Sequence, residues 1–158
     1  MRKAEYPVLV VGPNCDAEQH PLRSILFATN LETSGQQAAE YALALAKHGH
    51  GRLTLLHVVE KQPKIPGEEP DLFESALNQR LRKLLPTDSD ILFLPKIRIE
   101  YGSPSEVIPA VAQSESASLV VVSLGKRSAL ADHASSATLS YIIREAKCGV
   151  LGVHDRLS

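Results

Sequence analysis

Apolar residues along the chain fall into two kinds of pattern, and the two alternate. The runs SILFATN (24–30), RLTLLHVVE (52–60), SLVVVSLG (118–125) and GVLGV (149–153) are apolar almost throughout, as strands covered on both faces are. KIRIEYG (96–102) alternates instead, which predicts a strand with one wet face. Between these runs the apolar spacing is helical. Ala39, Ala42, Leu43 and Ala46 share one face of a predicted helix, with Thr33 or Ser34 able to cap its start and Gly49 or Gly51 to stop it. After a Pro- and charge-rich loop (61–71), Phe73, Leu77, Leu81 and Leu84 form the stripe of a second helix that Pro86 ends. SPSE (103–106) signals a third helix, with Ser103 as cap, Pro104 at the first helical position and Glu106 behind it. Pro109 inside that helix removes one backbone donor and predicts a kink. A fourth helix is predicted over 137–148, with Leu139, Ile142, Ile143 and Ala146 inward. Strands alternating with helices of this length predict an α/β fold, built on an open parallel sheet with right-handed crossovers and helices on both faces.

One apolar run precedes this alternation. YPVLVVGP (6–13) resembles the closing CGVLGVH (148–154): in each, a Val-Leu pair is followed one residue later by Val. An early run exposing Val8, Leu9, Val10 and Val11 together is an aggregation liability unless it is paired. The connection 13–24 can span up to about 40 Å at full extension, enough to bring the run beside the closing strand. The expectation is therefore a sixth strand, antiparallel to the closing one, formed within the chain or swapped from a partner; the alternative is a frayed tail.

Composition narrows the function classes. The 158 residues are 44% hydrophobic and 22% charged with a net charge of -1, a balance that favours neither nucleic acid nor an anionic membrane surface. No apolar stretch approaches the roughly 18 residues of a membrane span, and no apolar signal core follows MRKAEY. Cys15 and Cys148 are too few and too far apart in sequence for a disulfide framework or a zinc site. A cytoplasmic, reducing location is expected.

The order of elements also carries a family resemblance. ILFATNLETSGQQAAEYALALAKHGHGRLTLLHVVE resembles the opening half of a universal stress protein domain, and YGSPSEVIPAVAQSESASLVVVSLGKR followed by AKCGVLGV resembles its second half. The resemblance implies a five-stranded parallel sheet in the order 3-2-1-4-5, counting from the strand at 24–30, with dimerisation through an edge strand. On this reading residues 1–21 are an N-terminal strand and linker, and 22–158 the domain proper. Residues 7–12 look like the closing strand of a preceding domain in a tandem two-domain member. Association is expected as a homodimer through Val150–Val153, through Val8–Val11, or through both.

Many members of that family bind ATP or AMP, and an open parallel sheet takes its ligand beyond the carboxyl ends of its strands where the strand order reverses. If a nucleotide binds here, the resemblance implies Ala28, Asn30, Val58, Ser123, Gly125, Lys126, Arg127, Ser135, Ser136 and Thr138 around it. The nucleotide-binding members resemble one another in a Gly-x2-Gly-x9-Gly-Ser/Thr loop, whose glycines let amides approach phosphate. A gap-free alignment puts Ser123, Lys126 and Ser136 on the glycines, Ala137 on the hydroxyl position, and Asn30 where an Asp completes the site. Gly125 could serve as a shifted partial substitute, and Lys126 and Arg127 could meet phosphate as charged donors. With those departures no cofactor is expected, ATP or AMP being the alternative.

Other chemistry is weaker. KHGHG (47–51) has two histidines but no carboxylate or Cys nearby in sequence, and fits a helix end better than a metal site. His57 sits among apolar neighbours as a core-edge residue. Asp132, His133, Ser135 and Ser136 have the residue types of a hydrolase triad but lie in one short stretch without a nucleophile elbow. Neither a catalytic residue nor a metal ligand is expected. The favoured reading is a regulatory or interaction module without its own chemistry. A nucleotide-binding member with a remodelled loop comes second, and an enzyme such as an adenylating ligase third, for which the chain is short.

Overall fold

The computed structural model describes residues 6–16, 22–31, 35–60, 70–86, 94–124 and 131–154. In chain order the elements are β1 (Val8–Val10), β2 (Ser24–Thr29), α1 (Gln36–His48), β3 (Arg52–Val59), α2 (Pro70–Lys83), β4 (Lys96–Tyr101), α3 (Pro104–Ser114), β5 (Leu119–Ser123), α4 (Ala131–Glu145) and β6 (Gly149–Val153). The strands form one six-stranded sheet in the order β1-β6-β5-β2-β3-β4. All neighbours are parallel except β1, which lies antiparallel on β6 with Val8 opposite Gly152 and Val10 opposite Val150. The five core strands thus have the expected order, and the early apolar run is the sixth strand, paired within its own chain.

Every residue of β2 is buried, because it is paired on both sides and covered on both faces. Alternation sends its side chains into two separate cores. Ile25 and Phe27 pack with Leu53, Leu55, Leu119 and Val121 under α1 and α2. Leu26 and Ala28 pack with Leu56, Val120, Val122 and Val150 under α3 and α4. The buried face of α1 is Ala38, Ala39, Ala42, Leu43 and Ala46, and so many small residues let that helix sit close to the sheet. On β4 the wet face is an ion-pair row: Lys96 and Arg98 both reach Glu115 beyond α3 (2.7 and 2.9 Å), while Ile97 and Ile99 join the α1–α2 core.

Helix ends differ from expectation in instructive ways. Neither Gly49 nor Gly51 takes the left-handed position that stops α1; His50 between them does, at φ 50°. The bonds His50 N–H to Lys47 C=O (3.2 Å) and Gly51 N–H to Ala46 C=O (2.9 Å) complete a Schellman motif around it. The glycines serve close approach instead: a Cβ on Gly51 would lie 2.0 Å from the Leu22 carbonyl oxygen, and one on Gly49 2.3 Å from the Leu22 Cβ. α3 ends the same way on Ser116 at φ 51°, with Ser116 N–H bonded to Gln113 C=O and Ala117 N–H to Ala112 C=O. Ser103 stands at the cap of α3, but its hydroxyl pairs with that of Ser105 at 2.9 Å rather than with a helix amide. The helix continues through Pro109, whose missing N–H removes the donor for the Ser105 carbonyl. Thr33 and Ser34 lie outside the described residues, where Gly35 stands as the N-cap of α1.

β1 is held by more than its ladder. Gly12 passes so near α4 that a Cβ there would be 2.1 Å from the Ile143 carbonyl oxygen. The Asn14 side-chain amide then donates to Arg144 C=O (2.8 Å), and Asp16 N–H donates to Lys147 C=O (2.8 Å). The segment therefore satisfies carbonyls at the end of α4 that no helical amide can reach.

Three outcomes follow from this packing. Replacing His50 or Ser116 by Gly should raise stability by about 1 kcal/mol each, the cost of a left-handed residue bearing a Cβ, read as a higher urea midpoint at constant slope. A lower midpoint would mean that the side chain makes a contact worth more than the strain. Deleting residues 1–12 should bare the β6 edge and shift the protein towards larger species in size-exclusion chromatography; an unaltered profile and melting temperature would reduce β1 to a passive tail. The hydrogen bond from Lys96, helped by that from Arg98 and opposed by partial burial, holds the Glu115 carboxyl below its ordinary 4.5. That stabilisation is complete above the unfolded-state value and is lost as pH falls through the lower folded one. From about pH 5 downward, wild type should therefore lose stability more steeply than Glu115→Gln, and parallel acid titrations would exclude the effect.

Candidate functional site

The strand order reverses at β2, between β3 on one side and β5 on the other. An open cleft of about 520 Å³ lies there, beyond the carboxyl ends of these three strands. Its walls are Ala28 and Thr29 of β2 with Asn30 just after it, Leu56 to Val59 of β3 with Glu60 after it, Val122 and Ser123 of β5 with Leu124 after it, Pro104 and Ile108 from α3, and Thr138, Leu139 and Ile142 from α4. The floor is apolar because Ala28, Leu56, Val122, Ile108 and Ile142 belong to the α3–α4 core below it. The polar groups sit at the rim. Among the described lining residues Glu60 is the carboxylate, and no Lys or Arg faces it there.

The chain leaves β2 through a constrained turn. Leu31 is buried and left-handed (φ 63°), which a side chain as large as Leu adopts only where its surroundings enforce it. Those surroundings are identifiable. Leu31 N–H donates to Thr29 Oγ1 (3.0 Å), Arg80 Nη2 of α2 donates to Leu31 C=O (2.8 Å), and Gly35 lies so close that a Cβ would be 3.0 Å from Thr29 Oγ1. Opposite Thr29 in the ladder stands His57, whose Nδ1 is 2.9 Å from the Thr29 carbonyl oxygen. A carbonyl only accepts, so Nδ1 carries the hydrogen of this contact.

Of the residues expected around a nucleotide, Ala28, Asn30, Val58, Ser123 and Thr138 line this one cleft. Gly125, Lys126 and Arg127 lie outside the described residues. Ser135 and Ser136 fall inside α4, which begins at Ala131, six residues before the predicted start. The free amides of a helix belong to its first turn, so those of α4 come from about 131–134 and not from the residues at 136–138. Asp132 and His133 also lie in that first turn. His57 is a lining residue as well as a core-edge one, a role its register opposite Thr29 could have signalled once the ends of the two strands were aligned. The anchoring of Leu31 by Arg80 had no sequence signal, since the two are joined only through the tertiary packing of α2. Among the described residues no group of His, Cys, Asp or Glu could hold a metal, and no helix is long and apolar enough to cross a membrane.

Comparison with known proteins bears on what this cleft belongs to. None of the curated proteins compared by sequence matches the chain significantly. Solved structures share its fold. A universal stress protein in complex with cAMP is 20% identical, with a TM-score of 0.60 over 85% of this chain and 98% of its own. The universal stress protein UspA from Lactobacillus plantarum is 24% identical, with a TM-score of 0.60 over 86% of this chain and 100% of its own. One from Archaeoglobus fulgidus is 18% identical, with a TM-score of 0.65; the match takes in 98% of this chain but spans only about half, 51%, of that longer one. The family model for the universal stress protein family matches residues 21–154, from the lead-in to β2 to the end of β6. With its sequence matched over that span and its sheet order in agreement, the chain belongs to the universal stress protein family.

Proposed function

We propose that this protein is a regulatory or interaction module of the universal stress type, working in a reducing cytoplasm without catalysis and without tight ATP binding. The observation that carries the reading is the make-up of the cleft among the described residues: an apolar floor of Ala28, Leu56, Ile108, Val122 and Ile142, with the carboxylate of Glu60 at its edge. A triphosphate entering such a site meets a like charge where transfer from water requires a paired one. The sequence adds to this, since Ser123, Lys126 and Ser136 stand where the nucleotide-binding members have bare glycine backbone, and Asn30 replaces an Asp. Glycine at such positions lets amides approach phosphate with no Cβ in the way, an advantage that these residue types forgo. The polar side chains of His57, Ser123 and Thr138 above the apolar floor suit a neutral or weakly charged polar ligand. Such a ligand would report the state of the cell to a partner protein.

The second reading is an adenine nucleotide held in the same cleft. Its support is the cleft volume, about 520 Å³, which falls in the range of small-molecule sites, and the bound cAMP of one relative. In that case Lys126 and Arg127 supply the phosphate contacts.

Calorimetry and thermal melts in ATP, AMP and cAMP distinguish the two. A ligand at 100 times its dissociation constant stabilises a protein by about 2.7 kcal/mol, so tight binding would be plain in a melt. No shift in millimolar ATP is expected. A clear rise that Lys126→Ala/Arg127→Ala abolishes would establish the nucleotide reading and overturn the first.

A further inference from the structure

We propose that Cys15 and Cys148 are a reversible thiol–disulfide site that staples the N-terminal strand to the edge of the sheet. Their separation in sequence spans most of the chain, yet the fold sets them side by side. The bond from Asp16 N–H to Lys147 C=O, 2.8 Å long, joins the peptide after Cys15 to the peptide before Cys148. Covalent geometry alone then keeps the two Cα atoms within about 8 Å. A disulfide joins Cα atoms roughly 4.4–6.8 Å apart, a range that lies within this bound, and the two thiols are near enough to influence each other electrostatically.

Three further contacts hold this approach in place. Cys15 N–H closes a turn onto Gly12 C=O (3.2 Å), Gly12 is pressed against Ile143, and Asn14 is bonded to the Arg144 carbonyl. Both cysteines are free thiols, and the Cys15 thiol makes only a weak contact with the Asp16 carbonyl oxygen at 4.0 Å, which a rotation gives up at little cost. The pair is asymmetric. Cys15 is half-buried and reachable, whereas Cys148 is 3% exposed within the α3–α4 core. Burial, and then the neighbouring Cys15, push the Cys148 thiol up to about 11, and the more exposed Cys15 is the first of the two to meet an oxidant.

With hydrogen peroxide as oxidant the chemistry balances. The Cys15 thiol, giving up its proton, attacks a peroxide oxygen, the O–O bond breaks, and the leaving hydroxide takes up that proton, so that a sulfenic acid and one water result. The Cys148 sulfur, shedding its proton, attacks the sulfenic sulfur; the S–S bond forms, the S–O bond breaks, and a second water leaves. Two thiols have given two electrons and two protons to one peroxide, and an external dithiol reverses the change by exchange. In the reduced state β1, only three residues long, is held by non-covalent contacts alone and can lift from β6. In the oxidised state it is fixed there, and the β6 edge is closed.

The test uses the full chain, reduced, then treated with a small excess of hydrogen peroxide and alkylated. The expected product is a monomer lighter by two hydrogens, with both thiols lost together and a tryptic peptide linking Cys15 to Cys148. Its melting temperature should rise by about 5–10 °C, as closing so long a loop predicts, and fall back with dithiothreitol. Cys15→Ser should remove the shift while folding normally. Cys148→Ala, which keeps the core apolar, should leave a trappable sulfenic acid on Cys15. Two thiols still free, disulfides only between molecules, or stepwise over-oxidation of Cys15 with Cys148 intact would each overturn the proposal.

Discussion

The constraint from which the rest of the structure follows is that β2 is paired on both sides and covered on both faces. A strand so placed can carry no ordinary polar side chain along its middle, and Ile25 through Ala28 accordingly are apolar and buried. Because side chains alternate, this one strand feeds two cores that never meet, and each helix pair has its own apolar floor. Central pairing also makes β2 the place where strand order reverses, and the cleft exists because the chains leaving β2, β3 and β5 must diverge there. Fold and site are thus two results of the same position in the sheet.

Much of this was legible from residues. Near-continuous apolar runs mark the doubly covered strands, and the alternation of KIRIE marks the half-wet β4, whose isoleucines join one core while its charges meet Glu115. The early VLV run could be assigned to the closing strand because an unpaired apolar run has few other places to go. What was hidden is non-local. His50 takes the left-handed turn between two glycines because each glycine is needed for approach to Leu22, a contact the local sequence cannot reveal. The early start of α4 was missed because ADHASS carries no apolar period, and helical spacing is visible only where a face is packed. The juxtaposition of the cysteines depends on where the turn after β1 lands on α4, which distance along the chain misrepresents.

The cleft separates what the fold requires from what it leaves open. Its apolar floor is made by core residues that the fold needs in any case, so a cavity persists there whatever it holds. The rim is free to vary. Glu60 stands at that rim, and the left-handed turn at Leu31 is held by Arg80 of α2 and by Thr29, itself a wall of the cleft.

The antiparallel seat of β1 has a mechanical consequence. Because Val8 faces Gly152, the early end of β1 and the late end of β6 lie together at one end of the same ladder. A load drawn between Tyr6 and His154 therefore opens this pair as a zipper, one rung at a time, whereas the same number of bonds loaded lengthwise would have to shear together. The outer seam is the mechanical fuse of the molecule. An unfoldase that grips either end would part it at low force, while the parallel strands behind it kept their grip.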